Sequence, residues 1–172
     1  MDILPVQSAI VAQLAGAFAG TTFTAQEFPE VEAEFQRAVP NGITYVGYTG
    51  SETVGSLSTD PVVQQRRLKF NIECYSRKLY DETGMYAMRK LVESAIIGFM
   101  PPSCDRVYLV KDEISRGEDT IWSHVYNVEC LTVLVQDNFS EPIVVTQFTG
   151  IAPGTVDFTE DYSADFGEGQ NH

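Results

Sequence analysis

Residues 81–100 read DETGMYAMRKLVESAIIGFM, and no other stretch limits the fold so tightly. Met85, Met88, Leu91, Val92, Ala95, Ile96 and Phe99 recur at steps of three and four, which puts them on one side of a helix. Arg89, Lys90, Glu93 and Ser94 take mainly the other side. Asp81 is the expected N-cap, Glu82 adds negative charge to the first turn, and Pro101-Pro102 forbids continuation. A helix with a single apolar stripe has to bury it. The flanking segments alternate like strands, so the expected support is a sheet. Met85 and Met88, at helical spacing, are read as core and not as a ligand pocket.

The clearest of those strands is Val62–Tyr75. Leu68, Phe70, Ile72 and Cys74 alternate with Arg67, Lys69, Asn71 and Glu73, giving one apolar and one charged face. That pattern marks an antiparallel sheet covered on one side. Ile43–Tyr48 is a further strand after the Asn41-Gly42 turn signal, and TGSETVGSLSTDP (49–61) reads as a long loop. Val107–Val110 and Ile121–Val135 form an expected hairpin across the polar turn at 114–120. In the last strand Trp122, His124, Tyr126, Val128 and Cys130 share one side. Residues 2–19 make a second amphipathic helix, with Ile3, Val6, Ile10, Leu14 and Phe18 as its stripe, Asp2 as cap and Pro5 in the first turn. Residues 29–38 read either as a short strand or as one or two helical turns. The expected class is therefore α+β: two helices on one face of a four-stranded, mostly antiparallel sheet, in the order α-β-β-α-β-β.

Charge divides the chain in two. From Asp137 onward it holds seven of the 24 acidic residues and none of the 11 Lys and Arg, so this fifth of the length carries about half of the net charge of −13. The expected organisation is an α+β domain over 1–136 and an acidic C-terminal arm over 137–172. Within the arm, Ile143–Phe148 reads as one more strand, and Phe148, Val156, Phe158, Tyr162 and Phe166 interrupt the acidity. Such a segment either docks on a neighbour or stays disordered.

The chemistry is sparse. An acidic chain is a poor direct binder of DNA, which requires clustered cations. The one basic cluster, Arg66, Arg67 and Lys69 with Arg77 and Lys78 further on, reads as the exposed side of a strand. His124 lies in a strand and His172 is terminal, and no nucleophile elbow, zinc-protease, Walker A or dinucleotide motif occurs. Glu73 and Glu129 share the uncovered face and read as solvated positions. Asp157, Glu160, Asp161 and Asp165 lack the spacing of a calcium loop. The three Cys, at 74, 104 and 130, form no CxxC pair and are expected as buried thiols in a reducing compartment. No basic leader and no 18-residue apolar run is present, so a protein made in the cytoplasm, without a membrane span, is expected. Neither enzyme activity, cofactor nor metal is expected.

Residues 60–102, DPVVQQRRLKFNIECYSRKLYDETGMYAMRKLVESAIIGFMPP, followed by a hairpin and a long last strand, resemble the tail terminator proteins of tailed bacteriophages, in particular the Mu-like prophage family of small tail proteins. The strand ending in Tyr75, the Gly84-Met85-Tyr86 start of the helix and Leu91…Gly98-Phe99-Met100-Pro101 at its end carry the likeness, which spans roughly residues 3–136. The acidic arm departs from it. The resemblance implies a homo-oligomeric ring, typically a hexamer, on the head-proximal end of the tail tube. Such a ring stops tube growth, presents a surface to neck or connector proteins, and meets the sheath where the tail contracts. DNA passes through its lumen unbound, and the protein is assembled in the host cytoplasm into the virion. The expected contacts to neighbouring subunits or partners are Glu52 in the 49–61 loop, Arg66, Arg67 and Lys69 on the strand, and Phe148, Phe158 and Tyr162 in the arm. A head-completion or neck protein is the alternative within the virion, and a small α+β ligand-binding protein the alternative outside it.

Overall fold

A computed structural model describes residues 2–29, 42–59, 62–116 and 121–135. The elements are α1 (Leu4–Ala17), β1 (Thr24–Glu27), β2 (Ile43–Thr59), β3 (Val62–Ser76), α2 (Met85–Ile96), β4 (Tyr108–Arg116) and β5 (Trp122–Val135). The strands form one sheet in the order β1-β2-β3-β5-β4. Every neighbouring pair is antiparallel except β1–β2, which is parallel.

The α+β class holds, but the sheet has five described strands, not four, and the order is α-β-β-β-α-β-β instead of α-β-β-α-β-β. The added strand, β1, is four residues long and almost wholly exposed, so it has neither the length nor the alternation that marks a half-buried strand. It pairs parallel with β2, unlike the other strands. The segment 29–38, read as either strand or helical turn, lies outside the described residues apart from Pro29.

The apolar stripes of both helices meet the same face of the sheet. Val6, Ile10 and Leu14 of α1 and Met85, Met88, Val92 and Ile96 of α2 are at most 1% exposed. They join Val46, Leu68, Phe70, Ile72, Cys74, Tyr126, Val128 and Cys130 in one cluster. α1 lies over β1 and β2, and α2 over β3 and β5. The methionines are core, as their spacing implied. The opposite face is not bare throughout: Ile43 and Tyr45 are each 1% exposed, and the Tyr45 ring packs on Phe28 and Tyr75 at 5.5 and 6.2 Å.

Both ends of α2 differ from expectation. Asp81 does not cap it. That residue has φ of 78° and belongs to a turn that folds residues 78–84 back on themselves. The turn brings the carbonyls of Lys78 and Leu79 to the amides of Met85 and Tyr86, at 2.8 and 3.1 Å, so backbone and not a side chain satisfies the first free N–H groups. The helix stops at Ile96, short of the prolines, because Ile97 is extended and Gly98 takes φ of 84°, the left-handed stop that suits glycine. In α1 Asp2 is one residue early: Ile3 is the N-cap, and the Asp2 carboxylate accepts from the Leu4 amide at 3.1 Å.

The largest correction concerns residues 49–59. This Gly/Ser/Thr-rich stretch is not a loop but the outer half of β2, a 17-residue strand paired with β3 to the end of the hairpin. Three β-bulges, between Tyr48/Gly50, Thr53/Gly55 and Ser56/Ser58, break its period-two pattern, which is why the sequence shows no alternation there. Likewise β4 runs to Arg116, through the beginning of the expected polar turn.

Candidate functional site

The face of the sheet opposite the helices carries a belt of charge across four strands. Cross-strand register sets Glu52 beside Arg67 and Lys69 beside Glu129, with Tyr108 next to Glu129. The Glu52 carboxylate takes Arg67 Nη1 on one oxygen and Lys69 Nζ on the other, each at 2.7 Å. Arg67 Nε stands 3.3 Å from Glu129 Oε2, and the Tyr108 hydroxyl donates to the same oxygen at 2.8 Å. The hydrogen bond from Lys69, then that from Arg67, holds the Glu52 pKa below the ordinary carboxylate value. The hydrogen bonds to Glu52 raise Arg67 and Lys69 in turn. Burial, then the bond to Glu129, raises Tyr108. Two cations and two carboxylates thus neutralise one another within the chain.

Of the expected contact residues, Glu52, Arg67 and Lys69 are brought together. Arg66 is not with them: it points to the other face, where its Nη2 donates to Ser51 Oγ. Consecutive residues of a strand face opposite ways. Phe148, Phe158 and Tyr162 lie outside the described residues. Glu129 and Tyr108, which complete the belt, were missed as partners. Alternation placed Glu129 on the right face, but only the register assigns it to Lys69 and Arg67. Glu73 instead accepts from Tyr75 at 2.6 Å.

Beside the belt the sheet is open. Among the described residues β1 covers only Ile43–Val46 of the outer edge of β2, and no described strand pairs with Gly47–Leu57 on the side away from β3. On the far side, β4 has β5 as its one described neighbour. Apolar side chains stand out of this end of the sheet: Leu57 is 64% exposed, with Val54, Val62, Val133 and Val135 between 39% and 48%. Unpaired backbone next to exposed apolar residues is a template for association.

The remaining titratable groups do not form a catalytic arrangement among the described residues. His124 is fully buried, stacks on Tyr126 at 4.3 Å and bonds Asp112 Oδ2 through Nε2 at 3.0 Å. Its Nδ1 and the Tyr126 hydroxyl have no hydrogen-bond partner among the described residues. Burial lowers the His124 pKa, and the bond to Asp112 opposes that. No group of three or more potential metal ligands occurs among the described residues, and no described helix is long and apolar enough to cross a membrane.

Comparison with known proteins adds two findings. A chain in a structure titled "Virion of native gene transfer agent (GTA) particle" is similar, with a TM-score of 0.50 and 15% identity over 76% of this chain and 96% of that one. At that identity the likeness is one of fold. No curated protein matches. The family model described as Gp37 protein matches residues 10–149, well over half of the length, and on that match the chain belongs to the Gp37 protein family.

Proposed function

We propose that this chain is a virion structural protein and, within the virion, the tail terminator: a ring that ends growth of the tail tube at its head-proximal end and joins the tail to the neck. The observation that carries the reading is the fold shared over 96% of a chain of a gene transfer agent virion. The edge of β2 beyond Val46, unpaired among the described residues, and the apolar end of the β2–β3 hairpin support it, because a chain that works by assembly needs surfaces that are unfinished in the monomer. Copies that meet through unlike surfaces close into a ring when the rotation per copy divides a full turn. A hexamer is the ring that the resemblance noted above implies. Tube, neck and, in a contractile tail, sheath are its partners, with residues 1–136 as the ring body and the acidic arm of 137–172 as a contact to them. A chain of net charge −13 whose belt cations are already paired suits a lumen that conducts DNA without gripping it.

Disrupting the gene and imaging the particles tests this. Overlong tails of uneven length are expected, restored to one length by the intact chain. Tails of normal length detached from heads would replace the terminator by a head-completion or neck protein.

A further inference from the structure

Two of the three thiols form a pair at a groove. Cys104 lies in the loop after α2 and forms an isolated antiparallel bridge with Thr132 of β5. Cys130 is two residues earlier on the same face of that strand, diagonal to Cys104. The loop is held there by backbone and side-chain bonds: the Asp105 amide donates to the Leu131 carbonyl and the Thr132 hydroxyl to the Ser103 carbonyl, each at 2.7 Å. The bridge to Thr132 therefore sets the two thiols side by side on the helix-bearing face of the sheet. Cys130 is fully buried, whereas Cys104 is 9% exposed and lines an open groove of about 340 Å³ with Gln65, Ser103, Asp105, Thr132 and Val133.

We infer that Cys104 and Cys130 are a redox site, in which Cys104 is the attacking thiol and Cys130 the resolving one, oxidised to an intramolecular disulfide by low-molecular-weight disulfides such as glutathione disulfide. The groove admits the reagent to Cys104 alone. The hydrogen bond from Cys130 lowers the Cys104 pKa, while that bond and burial raise Cys130, so the accessible thiol ionises first. The Cys104 thiolate attacks one sulfur of the disulfide RSSR, whose S–S bond breaks and releases one RS⁻. Cys130 then loses its proton and attacks the Cys104 sulfur, expelling the second RS⁻. Two thiols are oxidised, one disulfide is reduced, and two RSH form. Diagonal residues of a sheet stand roughly 7–8 Å apart at Cα, about an ångström more than a disulfide spans. The loop, tied to β5 by its isolated bridge and those two bonds and not by a continuous ladder, has to supply that movement. The product ties the loop to β5 covalently. Cys74 is the internal control: it is fully buried, and burial pushes its pKa up to about 12.

The full chain is incubated with glutathione disulfide under native conditions, alkylated, and digested with trypsin without reduction. Cleavage at Arg106, Lys111 and Arg116 puts Cys104 and Cys130 on separate peptides. The expected product links those two peptides and has lost two hydrogens, with Cys104 reacting at least about tenfold faster than Cys74. Cys130→Ser should stop at a Cys104–glutathione adduct, and Cys104→Ser should give neither adduct nor link. A stable Cys104 adduct without a link in the wild-type chain overturns the inference, as does Cys74 reacting as fast as Cys104 or no reaction at either thiol of the pair. Should Cys130→Ser not fold, the wild-type peptide map decides alone.

Discussion

Gly84→Ala separates two accounts of how α2 begins, because they differ in sign. Were Asp81 the N-cap, Gly84 would be the third residue of the helix, and alanine there would gain about 1 kcal/mol. In the structure Gly84 is itself the N-cap, and its Cα faces the turn made by Leu79 and Tyr80. A Cβ at this position overlaps the Tyr80 carbonyl oxygen and stands 2.7 Å from the Tyr80 carbonyl carbon and 2.9 Å from that of Leu79. All three atoms are backbone, so the turn has to move. Moving it withdraws the Lys78 and Leu79 carbonyls from the Met85 and Tyr86 amides. Met85 is fully buried, and an unsatisfied N–H there costs about 1–3 kcal/mol; the Tyr86 amide can find water, and its lost bond costs about 1 kcal/mol. Alanine recovers about 0.4–1 kcal/mol by restricting the unfolded chain. The net expectation is a loss of about 1–3 kcal/mol, a drop in urea midpoint on the order of 1 M at an unchanged slope. Equilibrium urea unfolding followed by circular dichroism reads it. An unchanged or raised midpoint would refute the backbone-capped turn.

Val54→Lys with Leu57→Lys should leave stability within about 0.5 kcal/mol, since both side chains are exposed, yet fail to restore uniform tails when it complements a disrupted gene; full complementation sinks the role given to the hairpin. Glu52→Gln should lower the urea midpoint at pH 7, by an amount that shrinks as pH is taken below about 4.3. The depressed Glu52 pKa makes its contribution complete above the unfolded value near 4.3 and lost as pH falls through the lower folded one, and high salt should shrink the difference. His124 behaves in the same sense at higher pH: its folded pKa lies below the unfolded value near 6.5, so its contribution is complete above that value and is lost as pH falls from it through the folded one. Denaturation midpoints measured from about pH 7.5 to 5 should fall in the wild-type chain and stay flatter in His124→Gln; parallel slopes would remove His124 from the account.

The helices and the inner parts of the strands were legible because burial writes a period into the sequence. Val6, Ile10 and Leu14 recur every four residues, and Leu68 to Cys74 every two, and each set is buried on one face. The outer half of β2 was not legible because nothing buries it. With both faces in water from Glu52 to Leu57 there is no reason for apolar and polar residues to alternate, and three bulges shift whatever alternation remains. Its strand character comes from β3, through a pairing that is not local. The ends of α2 failed for another reason. A cap made by the carbonyls of Lys78 and Leu79 uses no side chain and leaves no residue signature except Gly84, which reads on its own as a weak helical position.

The basic cluster shows how far apart sequence and site can lie. Arg66, Arg67 and Lys69 look like one patch of three cations, and a patch of that kind invites a nucleic acid or an acidic partner. In the sheet it becomes one cation and two. Arg66 is turned to the helix-bearing side and bonded to Ser51, while Arg67 and Lys69 share Glu52 on the other. Glu52 comes from a stretch that reads as loop, and Glu129, which stands some sixty residues down the chain, completes the neutralisation. A partner's carboxylate at this belt would therefore have to displace one already bound, with little to gain in exposed, well-solvated surroundings. Attraction is better sought along the edge from Gly47 to Leu57, which no described strand pairs on the side away from β3, and at the apolar side chains around it. There a second strand would satisfy backbone groups and cover Val54 and Leu57 in one step.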